Sequence, residues 1–283
     1  MKIAITCEST VDLPKELLLK YDIKTIPFTI ILGDEEKKDG EVLAKDIFDF
    51  VSKTKILPKT TAINEFEYTE FFEEVLADND ALIHIALSSG ISSSCSHAQA
   101  AAEKMKNVYI IDSKSLSTGI ALQAIYASKL RESISNPEEI VEKVVARQDG
   151  IQASFIVEKL DYLHKGGRCS GIALLGANVL KIRPRIVVSG GKMKNDRKYR
   201  GQMAFAVKKY CEECLNESPD IDKSLAFVTY SSATPEMIEI ATNALKDAGV
   251  ETVYETKAGG TITSHCGENT LGILFYNDGI KTL

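Results

Sequence analysis

No apolar run in this chain approaches the roughly 20 residues that a membrane-spanning helix needs, and the opening MKIAITCES lacks the basic, then apolar, then small-residue order of a signal peptide. A basic surface is missing too. The formal net charge is −6, which argues against nucleic acid or an anionic membrane surface as the main partner, because phosphate binding needs clustered cations. The expectation is a soluble cytoplasmic protein without stable membrane insertion. Phosphate-loop GxxxxGK[ST] and dinucleotide GxGxxG patterns are absent, as are zinc-ligand spacings. No cofactor or metal is expected. The six cysteines are scattered; Cys211 and Cys214 form a CxxC inside the helical pattern AVKKYCEECLNE, with no second CxxC and no histidine nearby. Two reduced thiols one helical turn apart account for them more simply than a metal site.

What is present is a globular composition. Of 283 residues, 44% are hydrophobic and 26% charged, enough apolar material for one large or two ordinary domains. The first half alternates apolar strand-like runs (2–6, 23–32, 81–87, 107–111) with helical patterns near 43–54, 65–77 and 116–133. That rhythm predicts a parallel sheet covered on both faces. Asp12 is expected to cap the helix that starts near Pro14. A break is expected near Asn136–Gly150, giving domains 1–149 and 150–283. The second half reads as an α+β layer with antiparallel pairs. Its strands are expected near 151–157, 183–189, 224–230, 251–257 and 270–277, and its helices near 158–165, 170–181, 201–217 and 234–247, with a hairpin turn at Ser189–Lys192.

Residues 81–105 carry the strongest functional signal. The apolar run Ala81–Leu87 breaks into Ser88-Ser89-Gly90-Ile91-Ser92-Ser93-Ser94, and an alanine-rich helical segment follows. A strand, a hydroxyl-rich turn and a helix start make an anion site, since the first N–H groups of a helix lack intrahelical partners. A serine cap over a solvated turn is the simpler alternative. One cap needs one serine, whereas five occur in these seven positions, and no lysine or arginine lies between Ala81 and Glu103. The loop suits a small oxyanion held by hydrogen bonds. Loops after parallel strands gather at one sheet edge, so Cys7–Thr10 and Asp112–Ser117 are expected beside it.

Three further segments hold candidate groups. Thr60-Thr61 precedes a helix and serves as a cap or as a second hydroxyl source. Tyr162–Arg168 ends a short helix with a Gly-Gly stop, leaving Arg168 either solvated or at a sharply turned functional position. Gly259–Gly267 reads as a polar, glycine-rich loop, and His265 alone among four histidines lies in such a loop. It is structural, or it moves a proton or contacts an anion. A serine acyl hydrolase or transferase using Ser92 or Ser93 with His265 stands as the alternative function, although the GxSxG elbow is absent.

Taken in order, six segments resemble the DegV family of bacterial fatty-acid-binding proteins. CESTVDLP resembles its (T/S)DSTxDLP start, with Glu8 for the usual aspartate. Thr60-Thr61-Ala62 resembles its TSQPS loop, with Ile63-Asn64 for Pro-Ser. Ser88–Ser94 resembles SSGLSGT, and Ile110–Ala121 resembles its IDSxxxSxGxG segment. Leu160–Ser170 resembles LxYLxKGGRIS, and Ser264–Phe275 resembles the closing HxGPGxxG segment. The order holds from residue 1 to about 277.

The resemblance implies a two-domain α/β fold with a lipid tunnel between or beside the domains, enclosing one long-chain fatty acid. It implies a carboxylate held by Thr61, Ser92 and Ser93, helped by Ser94. It also implies a separate ATP-dependent kinase subunit that makes the acyl phosphate, which makes the chain a non-enzymatic carrier. Arg168, Arg200 and His265 would then assist phosphoryl transfer, Arg200 on the looser match of Asn195–Gly201. Ala153, Ile156, Ala173, Leu174, Ala177 and Leu180 are tunnel candidates, and core packing explains them equally well.

Overall fold

A computed structural model describes residues 1–170 and 181–283. Along the first half run β1 (Ile3–Glu8), α1 (Lys15–Lys20), β2 (Ile23–Ile26), β3 (Thr29–Leu32), β4 (Glu35–Lys38), α2 (Ala44–Thr54) and β5 (Lys59–Thr61). They are followed by α3 (Glu65–Leu76), β6 (Ala81–Ala86), α4 (Ser94–Ala102), β7 (Val108–Asp112), α5 (Thr118–Leu130) and α6 (Pro137–Ala146). The second half contains β8 (Ile151–Ile156), α7 (Asp161–Gly166), β9 (Cys169–Ser170), β10 (Ile182–Ser189), β11 (Lys192–Arg200) and α8 (Met203–Asn216). It closes with β12 (Ile221–Tyr230), α9 (Pro235–Asp247), β13 (Val253–Lys257), α10 (Gly260–Cys266) and β14 (Leu271–Asn277). Of the expected helix at 170–181, residues 171–180, with Ala173, Leu174, Ala177 and Leu180, fall outside the described residues, and Ser170 belongs to β9.

Strands β2-β1-β6-β7 form a parallel sheet in that order. Every residue of β1 and β6 is buried, as continuous apolar runs in the middle of a doubly covered parallel sheet should be. The second large sheet is mixed, in the order β13-β12-β14-β8-β10-β11-β9. Its central strand β8 pairs antiparallel with both β14 and β10, and β10 and β11 form the hairpin expected at Ser189–Lys192. One face of this sheet joins the main core through Ala153, Phe155, Phe227 and Leu274. The other face packs Ile156, Val228 and Ile273 against α8 and α9. The fold is thus a parallel-sheet α/β unit together with a mixed α+β unit.

Three sequence expectations change. The single strand expected over 23–32 is divided: β2 belongs to the parallel sheet, while β3 pairs with β4 and β5 in a small antiparallel sheet. Pro27 lies at the break and, lacking an N–H, cannot donate to a ladder on either side of it. Asp12 does not cap α1; Pro14 occupies that position, and Asp12 is buried with a left-handed backbone, φ 53°. Finally, Gly259–Gly267 is not a loop, since it folds as α10.

All six cysteines are buried. Cys211 and Cys214 face the core beneath α8, and burial pushes the Cys214 thiol up to about 12. Among the described residues, no helix is long and apolar enough to cross a membrane, and no group of three or more metal-ligating side chains is assembled.

Candidate functional site

The site begins at the C-terminal edge of the parallel sheet, where three loops meet. Ser88 N–H donates to Ser115 O at 3.1 Å, and Ser89 Oγ donates to Asp112 Oδ2 at 2.5 Å. Leu87 N–H donates to Glu8 Oε2 at 2.8 Å. The loops after β1, β6 and β7 therefore converge as the parallel topology requires. The β10–β11 hairpin closes the site from the other sheet, with Ser88 Oγ donating to the Gly191 carbonyl at 2.7 Å. Gly90 is obligatory here, because a Cβ would stand 2.5 Å from that same carbonyl oxygen.

The five serines divide sharply. Ser88 and Ser89 are occupied by the bonds just given. Ser94 is buried with its Oγ 2.6 Å from the Tyr68 hydroxyl, on the core side of α4. It does not line the cavity, so the expected fourth carboxylate contact is instead an internal one. Ser92 and Ser93 line the cavity, as does Ser89 beside its bond to Asp112. Ser92 Oγ accepts the Ser94 N–H at 3.2 Å, which leaves the Ser92 proton free to donate outward. Ser93 stands at the N-cap position of α4, and its side chain makes no cap bond.

Across the cavity stands β5. Thr60 faces inward and its Oγ1 lies 2.9 Å from His265 Nε2. Thr61 is exposed on the opposite face of the strand and does not line the cavity. Successive strand residues point to opposite sides, so the hydroxyl that β5 contributes is Thr60, not Thr61.

His265 comes from α10, whose N-terminal N–H groups are capped by carboxylates distant in sequence. Asp12 Oδ1 accepts Gly259 N–H at 2.7 Å, while Asp39 accepts Gly260 N–H at 2.8 Å and Thr261 N–H at 3.3 Å. The Ser117 hydroxyl also donates to Asp12, at 2.5 Å. Burial, with the nearby Asp39 charge, raises the Asp12 carboxyl to about 8 against the Ser117 and Gly259 bonds. Gly260 permits the close approach, since a Cβ there would meet Ile30 Cδ1 at 2.4 Å. Burial, with the Arg168 charge adding, lowers His265 to about 4. The imidazole is neutral at pH 7.

Arg168 is exposed at the rim, follows the α7 stop, and donates to Gly166 O at 2.5 Å. Arg200 is not part of this constellation. It is an exposed residue at the end of β11, opposite Ile182, seven strand positions beyond the cavity residue Met193 and so about 23 Å along the strand. Ala153 is buried on the sheet face toward the main core, whereas Ile156 points into the other core and away from the cavity.

The cavity enclosed by these groups measures about 380 Å³. Hydroxyls of Thr60, Ser92 and Ser93 sit with His265 and Arg168 among the apolar walls Phe28, Leu87, Ile91, Leu116, Met193 and Ile262. An apolar slot of about 30 Å³, walled by Phe155 and Leu274, adjoins it across Leu116, Ile262 and Cys266. Sequence reasoning named the Thr60-Thr61 pair but placed Thr61 in the site, and it missed the apolar walls. The walls carry no motif, and only the strand face distinguishes Thr60 from its neighbour.

Known proteins resemble this chain along its length. A family model described as "Uncharacterised protein, DegV family" matches residues 2–278. Protein DegV of Bacillus subtilis is 31% identical over 284 residues, which span 96% of this chain and 98% of that one. A protein of Thermotoga maritima named "Fatty acid-binding protein" is 28% identical over 282 residues, 96% of each chain. The crystal structure of DegV, a fatty acid binding protein from Bacillus subtilis, matches with a TM-score of 0.85 and 27% identity, over 98% of this chain and 100% of that one.

Proposed function

This chain belongs to the DegV family, and from that premise we propose that it binds one long-chain fatty acid with its carboxylate against Thr60, Ser92 and Ser93. The supporting observation is a cavity lined by hydroxyl groups and by apolar side chains together. A fatty acid combines the same two characters. Each buried methylene contributes roughly 0.8 kcal/mol, so a 16-carbon tail offers about 10 kcal/mol before association costs of several kcal/mol. The tail supplies affinity and the carboxylate supplies orientation.

An unpartnered carboxylate would be costly to bury. Ser92 offers a free proton, Ser93 an uncommitted hydroxyl, and the first turn of α4 the N–H groups that follow that of Ser94. With His265 protonated on Nε2, Thr60 accepts from the ring and turns its own proton toward the ligand. Dividing the chain at 149/150 puts the serine loop in the first domain and Arg168 and His265 in the second, so the head group lies between them.

The carrier presents its ligand to an ATP-dependent kinase that forms the acyl phosphate, and Arg168 at the exposed rim stabilises the added charge. What speaks against a serine hydrolase is that His265 Nε2 bonds Thr60 and not Ser92 or Ser93. Organic extraction of purified protein followed by mass spectrometry tests the reading. Intact long-chain fatty acid near one per chain is expected. Lipid-free protein that binds no added fatty acid, or sustained turnover of an acyl ester, would overturn it.

A further inference from the structure

A second carboxylate lies directly beneath the serine loop. Glu8 ends β1 and is completely buried. One oxygen, Oε2, accepts Leu87 N–H at 2.8 Å. The other, Oε1, accepts the Tyr68 hydroxyl at 2.8 Å. Because the single Tyr68 proton is committed to Glu8, the 2.6 Å contact between Tyr68 and Ser94 has Ser94 as donor. The main-chain N–H of Ser94 then reaches Ser92 Oγ. Leu87 immediately precedes the loop, and Ser94 opens the helix that ends it. Neither Glu8, Tyr68 nor Ser94 lines the cavity.

We propose that Glu8 is a positioning residue for the head-group site: by holding Leu87 at one end of the loop and Ser94, through Tyr68, at the other, it sets where the Ser92 and Ser93 hydroxyls stand. It thereby sets the preference for a carboxylate over a neutral head group. The inference rests on the fatty-acid reading above. Burial alone would raise the Glu8 carboxyl, but His84 beside it, with the Tyr68 and Leu87 bonds, outweighs burial and holds it below its ordinary value. His84 Nε2 stands 3.6 Å from Glu8 Oε1, and its Nδ1 meets Thr6 Oγ1 at 2.9 Å. Glu8 is thus an ionised acceptor, and such acceptors make the stronger hydrogen bonds. A loop fixed before the ligand arrives loses little freedom on binding. The tail makes none of these contacts, so the device acts on head-group discrimination and not on tail affinity.

The test uses lipid-stripped protein and measures Kd for palmitic acid and for hexadecanol by competition with a fluorescent fatty acid. Tyr68→Phe and Ser94→Ala each cut the acid-over-alcohol ratio about tenfold, the scale of one buried hydrogen bond. The double variant falls no further than either single one, because both break the same link. Glu8→Asp draws the carboxylate back by one methylene, so that it serves Leu87 or Tyr68 but not both, and it lowers the ratio similarly. The alcohol Kd stays within about twofold, whereas a merely structural defect would weaken both ligands together. An unchanged ratio in Tyr68→Phe, or additive losses in the double variant, would overturn the role of Glu8 while leaving the carrier reading intact. A wild-type protein with no preference for the acid would overturn the carboxylate site itself, and this inference with it.

Discussion

Thr60 and Thr61 carry the same hydroxyl and differ only in the side of β5 they occupy. Thr60→Ala and Ser92→Ala should each weaken fatty-acid binding by about 1–3 kcal/mol, the usual consequence of leaving a buried acceptor unpaired. Thr61→Ala should leave it unchanged, because Thr61 is exposed away from the cavity. Isothermal titration of the three variants decides the matter; a loss confined to Thr61→Ala would mean the functional face of β5 has been misidentified. Here lies a limit of sequence reading. The Thr-Thr pair marks the segment, but a shift of one residue exchanges the two faces of a strand. Three residues of β5, with no alternating apolar pattern, give no clue to which hydroxyl turns inward. The serine loop shows the same limit, since five identical residues divide between ligand cavity, core and hairpin according to contacts made far along the chain.

Helix α10 shows why a segment carrying a central site residue reads as a loop. Its sequence, GTITSHC, is short and bears no capping side chain of its own. The capping groups are Asp12 and Asp39, 247 and 221 residues away from the N–H groups they accept. No local pattern announces a cap of that kind. The helices at 203–216 and 235–247, by contrast, were legible within a residue or two, because periodicity and, in the second, Thr234 followed by Pro235 state their starts directly.

The clasp also titrates. Asp12 changes from about 3.8 when unfolded to about 8 when folded, so the folded chain binds its proton more tightly. Its contribution is fully present below about pH 4 and is lost as pH rises toward and through about 8. Unfolding free energy measured across that window should fall with pH in the wild type. Asp12→Asn, neutral throughout, should remove that share of the slope; identical slopes in both proteins would show that Asp12 is ionised in the fold.

For the molecule as a whole, a parallel sheet followed by an α+β layer with antiparallel pairs was readable from the order of apolar runs and the Ser189–Lys192 turn. How the two units lock together was not. Arg147 is one such lock. It is buried, donates to Asp278 at 2.7 and 2.9 Å, and lies between the rings of Tyr126 and Tyr276, at 4.5 and 3.9 Å from their centroids. Tyr126 belongs to α5 of the first half and Tyr276 to β14 of the second. Arg147→Ala should lower stability by about 3–5 kcal/mol, as removal of one member of a buried charged pair does, with loss of the ring contacts included. Chemical denaturation measures it, and a change below about 1 kcal/mol would assign the arginine no more than a surface role.

The buried thiols give the protein a clock of its own. Cys266 stands in the cavity wall on the very helix that carries His265, and burial holds its thiol up at about 12. Reaction with an alkylating reagent requires a thiolate that solvent can reach, so labelling at Cys266 reports on access to the cavity wall. Cys211, on the buried face of α8, reports on deeper unfolding. A ligand that fills the cavity should slow the first and spare the second, and the gap between the two rates would measure how far the ligand shields that wall.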